Sequence, residues 1–145
     1  MSLRDQMLQT AYAYTAVHNE QTFDTLLALC SPDCVHRIGP MSIKNPDRNN
    51  DEYIRFNTEV CKRMHTYHAE IMDAVVDETS RKVVLYIHSK GTAPAGEYEN
   101  EYVITLTMTD DGKKVAHQYD FMDSQTMLNW IAKVGKPARD NWGME

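Results

Sequence analysis

The chain has 145 residues, 42% of them hydrophobic and 25% charged, which is enough to bury the core of one domain spanning 1–145. Its 21 acidic and 15 basic residues leave a net charge of −6, without the clustered Lys and Arg that a nucleic-acid partner requires. No apolar run reaches the length of a membrane span and the polar start MSLRDQMLQT is no signal peptide, so a cytoplasmic protein with no membrane partner is expected.

Residues 3–18 carry Met7, Ala11, Tyr14 and His18 on one helical face. Asn19 is expected to stop this helix and cap a second, in which Phe23, Leu26, Leu27 and Cys30 share a side. SPD then reads as a turn, CVHRIG as a short strand, and PMSIKNPDRNN as a loop rich in Pro and Asn. Asn49 followed by Glu52 is a capping-box pattern. It opens a third helix, about DEYIRFNTEVCKRM, whose stripe is Tyr53, Ile54, Val60, Cys61 and Met64.

The second half changes period. HAEIMDAVVDE, RKVVLYIHSKGTA, YENEYVITLTMT and KKVAHQYDFMD read as strands, separated by the turn chemistry of DETSRK, APAGE and DDGK. Asp123 or Ser124 then caps a closing helix, SQTMLNWIAKV, which Gly135 and Pro137 stop. The tail 136–145 is polar apart from Trp142 and is expected to be loose or to pack on a partner. Helices segregated from a strand meander define an α+β fold, with a bent antiparallel sheet wrapped around helices as a cone.

The three cysteines, Cys30, Cys34 and Cys61, read as reduced thiols. Cys30, Cys34 and His36 lack the second ligand pair of a closed zinc site, and His65 with His68 lacks a third ligand, so no metal is expected.

The order of elements, with AYTAVHNEQTFDTLLALCSPDCV, GEYENEYVITLTMTDDGKKV and the final FMDS, resembles the nuclear transport factor 2-like cone fold and its SnoaL-like group. More narrowly, DAVVDETSRKVVLYIHSKGTA followed by G-x-Y-x-NEY is similar to small fungal isomerases of meroterpenoid and tetrahydroxanthone pathways. The resemblance implies a homodimer without a cofactor, working by acid–base catalysis in a pocket inside each cone. It also implies that the first helix lines the pocket mouth, which points to Tyr14 and His18 as substrate contacts.

On the strand CVHRIG only one of His36 and Arg37 can face inward, because successive strand residues point to opposite faces. If Val35 packs inward, so does Arg37, where a guanidinium would stabilise a developing oxyanion. Otherwise His36 lies inside. Glu59, beside Phe56 on the border of its helix stripe, would be a partly desolvated base. A surface glutamate paired with Arg63 is the alternative. His65, at the helix end, is a candidate proton donor. His88, Glu99 and Glu101 read as sheet or interface residues.

On the last strand, His117, Tyr119 and Phe121 share one face and Gln118, Asp120 and Met122 the other. Alternation alone leaves open which face lines the pocket. The resemblance implies a working carboxylate on this strand, carried by Asp120. The expected chemistry is isomerisation or cyclisation of a neutral, polycyclic polyketide-derived ketone or lactone. Glu59 or Asp120 would take a proton, His65 or His117 would return one, and Arg37 would hold the enolate. Tyr14, His18, Phe56, Tyr119 and Phe121 would line the substrate. A non-catalytic binding or dimerisation module is the first alternative, and a dehydratase or hydrolase using the same pocket is the second.

Overall fold

Ser2 Oγ accepts the Asp5 amide at 3.1 Å and starts α1 (Leu3–Glu20), which ends where Gln21 takes a left-handed conformation. The computed structural model describes residues 1–135. Asn19 does not cap a following helix, contrary to expectation. Its amide instead donates to the Ala69 carbonyl at 2.9 Å and accepts the Ala69 N–H at 2.7 Å, clamping the helix to a strand. The expected second helix is a short 3₁₀ segment, Phe23–Leu29, with no side-chain cap. Burial of Phe23 and Leu26 holds it in place rather than helical propensity.

Cys30 leaves that segment and opens β1 (Cys30–Gly39). The stretch expected to turn at SPD lies in an irregular part of this strand, between the pairings of Cys30 and Val35. A loop with a single turn at Met41–Ile43 leads to α2 (Asn50–Cys61). Here the capping box forms as expected: Glu52 N–H donates to Asn49 Oδ1 at 2.9 Å, and Asn49 N–H to Glu52 Oε1 at 3.2 Å.

The meander follows as β2 (Thr66–Asp77), β3 (Lys82–Ala93), β4 (Gly96–Met108) and β5 (Val115–Met122). Asp123 caps α3 (Ser124–Val134), its carboxylate accepting the amides of Gln125 and Thr126, and Gly135 closes the helix. The expected stop at Pro137 and the tail 136–145 lie outside the described residues.

The sheet order is β1-β5-β4-β3-β2. The α+β reading holds: the helices sit against a curved, unclosed five-stranded sheet. One feature departs from the expected antiparallel sheet, because β1 pairs with β5 in parallel. A Cβ on Gly39, at the end of β1, would lie 2.7 Å from the Tyr119 ring, so a larger residue there requires that side chain to shift. No helix among the described residues is long and apolar enough to cross a membrane.

Alternation sorts the sheet into two faces. Leu85, Ile87, Leu106 and Gln118 are buried on the concave face, beneath Met7, Ala11 and Tyr14 of α1, and Tyr98 on the same face packs against Trp130 of α3. Each fully buried aliphatic side chain there contributes about 1.5–3 kcal/mol. The convex face carries Val75, Val84, Tyr86, Val103, Tyr119 and Phe121 along directly paired positions. Val75, Tyr86 and Phe121 on it are each about half exposed, at 52%, 45% and 49%.

Candidate active site

The side chains of β5 decide the site. Gln118 is buried and Asp120 half-buried on the concave face, whereas His117, Tyr119 and Phe121 point to the convex face. Asp120 stands at the junction of two neighbouring cavities. The larger, of about 170 Å³, runs between α2, α3 and the sheet and is lined by Phe56, Tyr67, Tyr98, Tyr102 and Trp130 among others. The smaller, about 50 Å³, lies behind it against α1. Asp120, His18, Tyr67 and Tyr102 line both.

Hydrogen-bond geometry fixes most of the protons around this carboxylate. His18 Nδ1 lies 2.9 Å from the Tyr14 carbonyl, which can only accept, so that nitrogen carries the proton. Nε2 therefore accepts from the Tyr53 hydroxyl at 2.8 Å. The Tyr53 oxygen in turn accepts from Gln118 Nε2 at 3.0 Å, and the same amide donates to Asp120 Oδ1 at 2.7 Å. Tyr14 donates its hydroxyl to Gln118 Oε1. His18, Tyr53 and Gln118 thus each find partners in this row of hydrogen bonds, as burial demands, and only the second Asp120 oxygen is left over among the described residues.

Burial sets the acid–base character of both ends. It pushes the His18 imidazole down to about 4, so the ring is neutral at pH 7. Burial also pushes the Asp120 carboxyl up to about 6, against the hydrogen bond from Gln118 and the charge of His36. A carboxylate tuned toward neutrality in an aromatic cavity is suited to abstract a proton. The wall opposite is phenolic. Asn100 Nδ2 donates to the Tyr98 hydroxyl at 2.9 Å, and Tyr98 and Tyr102 share a further hydrogen bond. Burial holds the Tyr67 and Tyr102 hydroxyls in their protonated form, above the ordinary phenol range.

Several expected site residues lie elsewhere. Arg37 is exposed, not inward, and makes a two-pronged ion pair with Asp47 at 2.9 and 2.7 Å. His36 takes the inward position, because Val35 and Arg37 both fall on the outer face of β1. Glu59 pairs with Lys62 at 2.8 Å, one residue short of the Arg63 pairing considered, and does not line the cavity. His65 is exposed in the turn between α2 and β2. His117, Tyr119 and Phe121 line neither cavity because the strand turns them outward. Tyr14 lines only the inner cavity, Phe56 only the outer one, and His18 both. His88 pairs with Glu99 at 2.7 Å on the convex side.

Tyr67, Tyr98, Tyr102 and Trp130 were not anticipated as lining. The alternation of Tyr98, Asn100 and Tyr102 with Ile104 and Leu106 was the signal for the β4 pair, whereas nothing local marked Trp130. Cys30, Cys34 and His36 do converge, their ligand atoms lying within 4.8 Å of one another. Yet both ring nitrogens of His36 are engaged by side-chain oxygens, at 2.6 and 2.8 Å.

A helix-lined, curved sheet enclosing a desolvated carboxylate defines a class of small α+β proteins with an acid–base pocket. Residues 11–117 match the SnoaL-like domain, and the chain belongs to that family. It is 33% identical over 135 residues to the austinoid biosynthesis clusters protein H of Penicillium brasilianum, covering 90% of this chain and 92% of that protein. Among solved structures, the BvnE pinacolase of Penicillium brevicompactum superposes with a TM-score of 0.87 at 28% identity, over 91% of this chain and 96% of the other. AusH of Aspergillus nidulans superposes at 0.77 and 29% identity, over 83% and 86% of the two chains.

Proposed function

We propose that this protein is a cofactor-free isomerase or cyclase acting on a fungal polyketide-derived natural product of the meroterpenoid type. One observation carries the reading: Asp120 presents a half-buried carboxylate to an aromatic cavity, with one oxygen held by Gln118. The other oxygen has no hydrogen bond within the described residues and is the base. It takes a proton next to a ring carbonyl or from a hydroxyl and returns it elsewhere on the ring system, so that no atom is gained or lost. The phenols of Tyr67, Tyr98 and Tyr102 supply donors for the oxygen on which charge develops. The rings of Phe56, Tyr67, Tyr98, Tyr102 and Trp130 fit a neutral polycycle. The relation to austinoid-cluster proteins and to a pinacolase supports this substrate class. A tetrahydroxanthone would be recognised by the same lining.

The assembly belongs to the same reading. The convex apolar row Val75, Val84, Tyr86, Val103 and Phe121 is the face on which two copies pair. Co-crystallisation with a fused-ring ketone tests both points. The expected result is an acidic C–H or O–H of the ligand facing Asp120, in a dimer joined by the convex sheets. A ligand seated away from Asp120 would sink the catalytic assignment, and a monomer in solution the dimer.

A further inference from the structure

We propose that His36 is a buried imidazolium whose charge, relayed through the amide of Gln118, aims Asp120 and keeps it ionised. His36 does not line either cavity, so it is a positioning residue and not a catalytic one. The functional part of this proposal rests on Asp120 being the base, whereas the protonation state stands on geometry alone.

Two buried amides beside His36 have a fixed orientation. Asn50 Nδ2 donates to the Ser31 carbonyl at 2.9 Å, and a carbonyl can only accept. Asn50 therefore turns its oxygen to His36 Nε2, 2.8 Å away. Gln118 Nε2 lies 2.7 Å from Asp120 Oδ1 and 3.0 Å from the Tyr53 hydroxyl. Turning this amide over would set its oxygen against the carboxylate, so Oε1 faces His36 Nδ1 at 2.6 Å. Both ring nitrogens thus meet acceptors, and both must carry protons. A neutral ring would press a nitrogen lone pair on an amide oxygen in a site with no exposure to water. The Tyr14 hydroxyl, 3.1 Å from Nδ1, does not relieve this: its single proton goes to the Gln118 oxygen, and its own oxygen is left as a further acceptor for the imidazolium.

The surroundings suit a cation. The Tyr53 ring lies flat on the imidazole, 4.1 Å between centroids and 4° from parallel. From α1 come the Tyr14 phenol and His18, which is neutral; from β1, the thiols of Cys30 and Cys34. The loop before α2 pairs its Arg48 backbone with that of His36, while the Arg48 guanidinium lies over Phe56. From β5 come His117, on the far face, and Asp120. Asp120 is the one anion in this set, and Gln118 connects it to His36. Burial alone would push the His36 imidazole down. Its contacts with Cys34, Gln118 and Asn50 outweigh that and hold it above its ordinary value.

Nitrogen-15 NMR of the histidine-labelled full-length protein between pH 5 and 9 tests this without any substrate. The expected spectrum has His36 protonated on both ring nitrogens at pH 7. A neutral single tautomer there would overturn the proposal. Carbon-13 titration of Asp120 gives the second reading: His36→Gln should raise its midpoint by about one pH unit, and a merely structural His36 would leave it in place. If His36→Gln does not fold, the wild-type spectrum still decides. Failure of the isomerase reading would appear in turnover assays and leave these spectra unchanged.

Discussion

Gln118 donates one hydrogen of its side-chain amide to Asp120 at 2.7 Å and the other to Tyr53 at 3.0 Å, so a buried neutral residue holds the carboxylate of an aromatic cavity in place. Asp120 is thereby left with one oxygen bound and one presented to the cavity.

Removing the charge of that carboxylate with little change of shape isolates its role. Asp120→Asn should lower turnover by about 10²–10⁴-fold, the usual worth of a positioned general base. Its far-ultraviolet circular dichroism should match the wild type, which separates lost chemistry from lost fold.

The pH profile follows from the same residue. Burial pushes Asp120 up to about 6, and a base works only when ionised. The rate at low substrate should therefore rise with pH through about 6 and level off above it. A profile flat from pH 5 to 7 would place the base elsewhere.

His18 governs part of the acid stability. Its pKa falls from 6.5 to about 4 on folding, so the unfolded chain binds the extra proton between those values. That contribution to stability is present above pH 6.5 and is lost as pH falls toward 4, amounting to about 2–3 kcal/mol. Asp120, shifted upward, acts in the opposite sense over part of the same range. Urea titrations of His18→Gln should show a flatter loss of stability below pH 6.5 than the wild type.

Tyr53→Phe leaves His18 Nε2 without its donor and Gln118 without one acceptor. A loss of about 1–3 kcal/mol is expected by chemical denaturation, the range for a buried polar group left unpaired.

The outlying candidates should behave otherwise. Arg37→Ala breaks an exposed ion pair with Asp47, and Glu59→Ala a partly exposed one with Lys62. Stability changes of at most about 1 kcal/mol and near-wild-type turnover are expected, by equilibrium unfolding and steady-state assay.

Much of the fold was legible because local signals agreed with tertiary need. The capping box at Asn49 and Glu52, the turn chemistry between strands and the alternation of β4 each specify one element. The parallel pairing of β1 with β5 was not legible, since nothing in CVHRIG encodes a partner distant along the chain. The site was half legible for the same reason. Alternation placed Gln118 with Asp120, yet which face turned inward depended on packing beneath α1. His36 against Arg37 was a one-residue question of register, settled because the Asn50 and Gln118 side chains satisfy an inward imidazole. For Arg37 the described structure offers an exposed partner, Asp47.

Catalysis by Asp120 is decided by incubating the purified protein, without added cofactor, with a fungal meroterpenoid ketone or lactone, read by high-resolution mass spectrometry and NMR beside Asp120→Asn. The wild type should give a rearranged product of unchanged elemental composition, and the variant none above background. A product that has gained or lost water, or one formed equally well by Asp120→Asn, would contradict this reading.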